Sequence, residues 1–194
     1  MKIKELAAKI KKVNTEAATQ VEKIKSKTLR ENEKFFKQGV KALFAAHPDL
    51  ESFSWSQYTP GWNDGDECVF SAHFEHGLHL NGDDDSEEIH SVRENLQLLE
   101  DKNSETKIKK KIEQLSKKKE NAWEVDHLKG KLSFLEGLKD KPEEVERIKK
   151  TSKMKSDIVS LLESIEEEYF QSMFGEGNII VTKDEVSVEE CEHD

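Results

Sequence analysis

The chain has 194 residues, of which 34% are hydrophobic and 37% charged, and a formal net charge of −10. That apolar fraction is low for a globule of this length built on one core, but it suits long helices that need only a narrow apolar stripe. The acidic balance disfavours a general nucleic-acid binder, which needs cations to replace phosphate counterions, and the periodicity of the apolar residues argues against disorder. The charge is uneven: residues 102–155 hold 17 Lys/Arg against 10 Asp/Glu, a net +7, which leaves −17 for the remainder. Such asymmetry can drive docking or self-assembly, or simply solvate helix faces.

Residues 2–47 read as one long helix or two collinear ones. Ile3, Leu6, Ile10, Val13, Ala17, Gln20/Val21 and Ile24 recur at alternating spacings of three and four, an a/d seam of about three heptads among Lys and Glu. Phe35, Phe36, Val40, Leu43 and Phe44 follow on a wider apolar face, as expected where a helix meets a core. Pro48 ends the pattern, because the residue before proline avoids the α region.

Aromatic and turn-forming residues then crowd into residues 54–70. In 52–58, Phe53 and Trp55 alternate with Ser52, Ser54 and Ser56, predicting a half-buried strand. Residues 59–66 are turn chemistry, with Pro60-Gly61 and Asn63-Asp64-Gly65. A second strand is predicted with Cys68, Phe70, Ala72 and Phe74 on one face, and a short one at 78–80. The acidic run 81–88 reads as a linker, with Ser86 capping the next helix.

Helical periodicity resumes near 89–100 and continues through Ile108, Ile112, Leu115, Trp123, Leu128, Leu132 and Leu135. Pro142 starts a further helix carrying Val145, Ile148, Ile158, Leu161, Leu162, Ile165, Tyr169 and Phe170, which Gly175 and Gly177 terminate. This helix and its predecessor are expected to form an antiparallel hairpin. Residues 178–189 read as a second β-hairpin, turning at Lys183-Asp184 or Asp184-Glu185. Neither β-hairpin is stable alone, so the two are expected to merge into one sheet of about four strands, covered by the Phe35–Phe44 helix and the Tyr169/Phe170 end.

Trp55, Gln57, Tyr58, Thr59, Pro60, Asn63, Asp64, Gly65, Asp66, Cys68 and Phe70 together form a motif, W-x-Q-Y-T-P-x-x-N-D-G-[DE]-x-C-x-F. This motif resembles that of an uncharacterised family of bacterial and bacteriophage proteins. The tail from Ile179 also resembles that family's C-terminal hairpin. The resemblance implies no activity, only a phage or prokaryotic origin; Gly61-Trp62 departs from it where aromatics are expected at both positions.

Catalytic and metal chemistry find little support. An EF-hand register from Asp64 supplies Asp66 and Glu75 but sets Cys68 and Phe70 where oxygens belong. His73, His76, His79 and His90 lack zinc spacing, and Cys68 and His73, read on one strand, face opposite ways. With no GxSxG, Walker or GxGxxG motif, the expectation is no enzyme, no metal and no cofactor. Trp55, Tyr58, Trp62 and Phe70 could stack a flat ligand or form the sheet's core. The candidate ligand-binding residues are Gln57, Tyr58, Trp62, Asn63, Asp64 and Asp66.

The expected architecture is α+β: a long N-terminal helix (1–50), a β-meander with the Trp/Tyr/Asn-Asp-Gly loop (51–82), a helical arm (83–177) and a C-terminal β-hairpin (178–194). The expected function is a non-catalytic, phage-encoded interaction protein that binds or occludes a host or self partner through its helices, with homo-oligomerisation possible. A nucleotide-like ligand module and an acidic nucleic-acid mimic are the alternatives. Two Cys without a CxxC partner and a charged start with no apolar leader point to the cytoplasm, the host's if phage-encoded, with no membrane partner and no direct nucleic-acid binding.

Overall fold

A computed structural model describes residues 3–62, 64–74, 77–82, 89–117 and 121–190, with the backbone alone for 89, 90 and 92. The described residues form an α+β fold in the order α1 (Ile3–Ala46), β1 (Ser52–Tyr58), β2 (Ser71–Ala72), β3 (His79–Leu80), α2 (Ile89–Glu100), α3 (Ser104–Leu115), α4 (Ala122–Gly137), α5 (Pro142–Glu163), α6 (Glu167–Phe174), β4 (Gly177–Thr182) and β5 (Val186–Glu189).

The alternation of β1 buries Phe53, Trp55 and Gln57 and leaves the serines half-exposed. β1 is the centre of one antiparallel sheet. One edge pairs with β4 along its length, Phe53 opposite Val181 and Trp55 opposite Ile179. The other edge is shared between β2, at Gln57 and Tyr58, and β3, at Phe53 and Ser54. β5 pairs only with β4 and forms the outer edge. The two β-hairpins therefore do merge into one sheet, and Thr182 pairing with Glu185 leaves Lys183-Asp184 as the turn.

The second predicted strand is shorter than expected: β2 holds only Ser71 and Ala72. Continuing its register would set Phe70 opposite Thr59 and Val69 opposite Pro60, which has no N–H for the ladder. Segment 66–70 thus runs past the end of β1 as loop. At the other end, Asn81 sits at φ 54° and fastens the strand start. Its Oδ1 accepts from the N–H groups of Glu51 and Ser52 at 2.8 and 3.2 Å, and its Nδ2 donates to the Asp49 carbonyl at 3.1 Å. Asn tolerates the left-handed region and bonds backbone locally, which suits it to this post.

One core joins the last turns of α1 (Phe36, Val40, Leu43, Phe44), α5 (Ile158, Val159, Leu162) and α6 (Phe170) to the buried face of the sheet. Of the two Phe expected on this face, Phe36 is buried in it, and Phe35, about 100° round the helix, is 59% exposed. Gly39 faces the side chain of Leu161 so closely that a Cβ there would displace the Leu161 methyl groups.

The helical arm departs from the expected hairpin. The single pattern predicted through 108–135 divides into α3 and α4, and the long last helix divides at 164–166, where Ser164 turns its hydroxyl back to the Leu161 carbonyl at 2.6 Å and Glu166 is extended. α5 packs along α2, not α4, and α4 packs along α3. Arg93 of α2 reaches Glu163 of α5, Lys131 of α4 reaches Glu94 of α2, and Lys111 of α3 reaches Glu124 of α4, so ion pairs lace the four helices together. The linker 83–88 and the Ser86 cap lie outside the described residues.

Candidate functional site

The aromatic loop has an inner half and an outer half. Trp55 is fully buried, stacked with Phe53 and edge-on to Phe170 and Phe174. Its Nε1 donates to Gln57 Oε1 at 3.0 Å. Gln57 Nε2 donates in turn to the carbonyls of Phe170, at 3.2 Å, and Gly175, at 2.6 Å. Gln57 is therefore a buried clamp joining β1 to the end of α6, and its amide faces the core rather than a ligand. A buried indole N–H needs such a partner, which explains Gln two residues after Trp on the same strand face.

The outer half is more open. Tyr58 is half-buried, its ring 4.6 Å from that of His73 and tilted by 38°. His73 Nε2 is buried without a hydrogen-bond partner among the described residues. Trp62 is 75% exposed, and Asp64 and Asp66 are exposed as well, Asp64 with φ 42° in the turn. Asn63 and Glu75 lie outside the described residues, as do His76 and Cys191. Cys68 is a half-buried free thiol in the loop, so the strand parity expected to separate it from His73 does not apply. No group of three His, Cys, Asp or Glu among the described residues could hold a metal ion.

Two carboxylates that sequence reading passed over fasten this loop. Glu167 Oε1 accepts from the Ser71 hydroxyl and the Ala72 N–H, both at 3.3 Å. Glu176 Oε1 accepts from the Thr59 hydroxyl at 2.7 Å. Nothing local in the sequence connects residues so far apart; only the β1–β4 pairing brings them together.

The larger unsatisfied surface is on α1. Residues 3–27 are all exposed. Ile3, Leu6, Ile10, Val13, Val21 and Ile24 are 44–87% exposed, all on one side of the helix. The helix joins the body only toward its C-terminal half, with Lys25 reaching Glu168 of α6 at 3.7 Å and Phe36 the first buried residue. An isolated helix of this length draws little stability from propensity alone, and apolar side chains in one row on it have no intramolecular reason to be there.

In the arm, charge pairing rather than burial perturbs titration. Hydrogen bonds from Lys109 and Lys139 pull Glu105 from 4.5 down to about 2, and Lys107 and the Asn103 N–H lower Asp101. Trp123, 78% exposed, lies flat against His127 on α4 with ring centroids 5.5 Å apart. Among the described residues no helix is long and apolar enough to cross a membrane.

The chain matches no known protein family, no curated protein and no solved structure.

Proposed function

We propose that the protein is a non-catalytic interaction protein and that α1 is its docking element. The carrying observation is the seam of Ile3, Leu6, Ile10, Val13, Val21 and Ile24, exposed on a helix that stands off the body. A heptad row buried on neither side is the half of a coiled coil that a second helix completes. The body supports this role by anchoring α1 rigidly: Phe36, Val40, Leu43 and Phe44 sit in the core, and His47 Nε2 pairs with Asp157 at 3.0 Å. A photo-crosslinking residue replacing Val13 should give covalent adducts in cells, whereas the same residue at Thr15, on the outer face, should not. Equal or absent labelling at both positions would contradict the reading.

The runner-up, a flat-ligand site at Tyr58 and Trp62 with Asp64 and Asp66 at its rim, is favoured by one observation, the Nε2 of His73 beside Tyr58, which has no hydrogen-bond partner among the described residues. Thermal shift against a nucleotide panel tests it: stabilisation that disappears in Trp62→Ala and Asp64→Ala supports it, and no shift removes it.

A further inference from the structure

We infer that the occupant of the α1 seam is α1 of a second copy, lying antiparallel, an inference that rests on the docking reading above. Heptad positions decide the orientation. With Ile3, Ile10, Ala17 and Ile24 at a and Leu6, Val13 and Gln20 at d, the flanking g positions hold Lys9, Glu16 and Lys23, and the e positions hold Ala7, Asn14 and Val21.

In a parallel pair, g meets e of the partner helix: Lys9 would meet Asn14, and Glu16 would meet Val21. No ion pair forms. In an antiparallel pair, g meets g. The register that sets Ile10 against Val13 and Leu6 against Ala17 also sets Lys9 against Glu16, twice by symmetry. The next antiparallel register sets Lys9 against Lys23 and Glu16 against itself, which repels. In the favoured register the like-charge meeting is Lys23 with position 2, also Lys, likewise twice by symmetry, at the two ends of the overlap, where solvent screening is greatest. Small side chains at Ala7 and Asn14 let the helices approach along the other flank.

The bodies give a second, independent argument. Segment 3–24 carries five Lys and three Glu, so the rest of the chain is more negative than the net −10. A parallel pair would place two such bodies side by side. An antiparallel pair places them at opposite ends of a helix about 33 Å long, several Debye lengths at physiological salt, and it directs the Lys-rich start of each α1 toward the other copy's acidic body. A symmetric pairing of one surface with itself is also the commonest way for a soluble protein to associate.

The test uses the full chain in three forms: native, Lys9→Glu and Glu16→Lys. Sedimentation equilibrium should show the native chain as a dimer. Each variant, with two like-charge contacts where two attractive ones stood, should dimerise about tenfold or more weakly. An equimolar mixture of the two variants should regain native affinity, because positions 9 and 16 then carry opposite charges at both of their meetings. Far-UV circular dichroism checks that all three are equally helical, as expected for substitutions on exposed turns remote from the core. A native chain that stays monomeric overturns the second copy as occupant while leaving docking itself to the crosslinking at Val13. A native dimer indifferent to both substitutions, or a mixture no tighter than either variant alone, overturns the antiparallel register.

Discussion

Gln57 shows how far one side chain can decide between structural and functional readings. Its amide closes a chain from the Trp55 indole to two carbonyls at the end of α6. Gln57→Leu keeps the volume but strands the Trp55 N–H, so urea unfolding should show a loss of about 1–3 kcal/mol. In a Trp55→Phe background, where no N–H needs a partner, the same substitution should lose distinctly less. Glu105 is the residue-scale case on the surface. Its folded pKa lies near 2, against 4.5 when unpaired, so its contribution is fully present above pH 4.5 and fades as pH falls toward 2. Helix content followed by circular dichroism should decline across that window, and Glu105→Gln should flatten the decline. Because the group is exposed, added salt should shrink the difference. In the sequence, Gln57 looks like a ligand contact because it neighbours Tyr58 and an Asn-Asp-Gly turn. Its true partners, Phe170 and Gly175, are more than a hundred positions away, and no local pattern announces them.

At the scale of elements, periodicity was a good guide to type and a poor guide to neighbours. The long first helix, the alternation in β1, Pro142 at a helix start and the last β-hairpin are all written in local spacing. The length of β2 was not, because strand pairing stops where Pro60 has no N–H to offer, a fact about the opposite strand. Likewise α5 and α4 adjoin in sequence, yet α5 packs along α2, with Arg93 and Glu163 paired across the contact. Two glycines mark close approaches that spacing alone does not explain. Gly177, at φ 146°, has the Glu189 carbonyl where a Cβ would stand, so Gly177→Ala should separate β5 from β4, seen as faster amide exchange in Val186–Glu189. Gly39→Ala should gain about 1 kcal/mol of helix propensity yet fail to stabilise the protein, because the methyl meets Leu161. In a Leu161→Ala background the gain should appear, which a double-mutant cycle by urea unfolding resolves.

For the whole molecule, the α+β architecture was legible because aromatics and turn formers concentrate in one window and Lys/Glu heptads fill the rest. What the heptads do was not, since an apolar stripe reads the same whether it packs within a chain or between chains. Among the described residues nothing covers the stripe: residues 3–27 of α1 are all exposed. Another open apolar feature, Val186 and Val188 on the edge strand β5, is flanked by Lys183, Asp184, Glu185 and Glu189, charges that discourage edge-to-edge association. Amide hydrogen exchange across a dilution series of the full chain is the direct test of the docking seam filled by a second copy. Protection of residues 5–24 should rise with protein concentration while protection in β1 and β4 stays constant. Exchange in residues 5–24 that is the same at every concentration would contradict it.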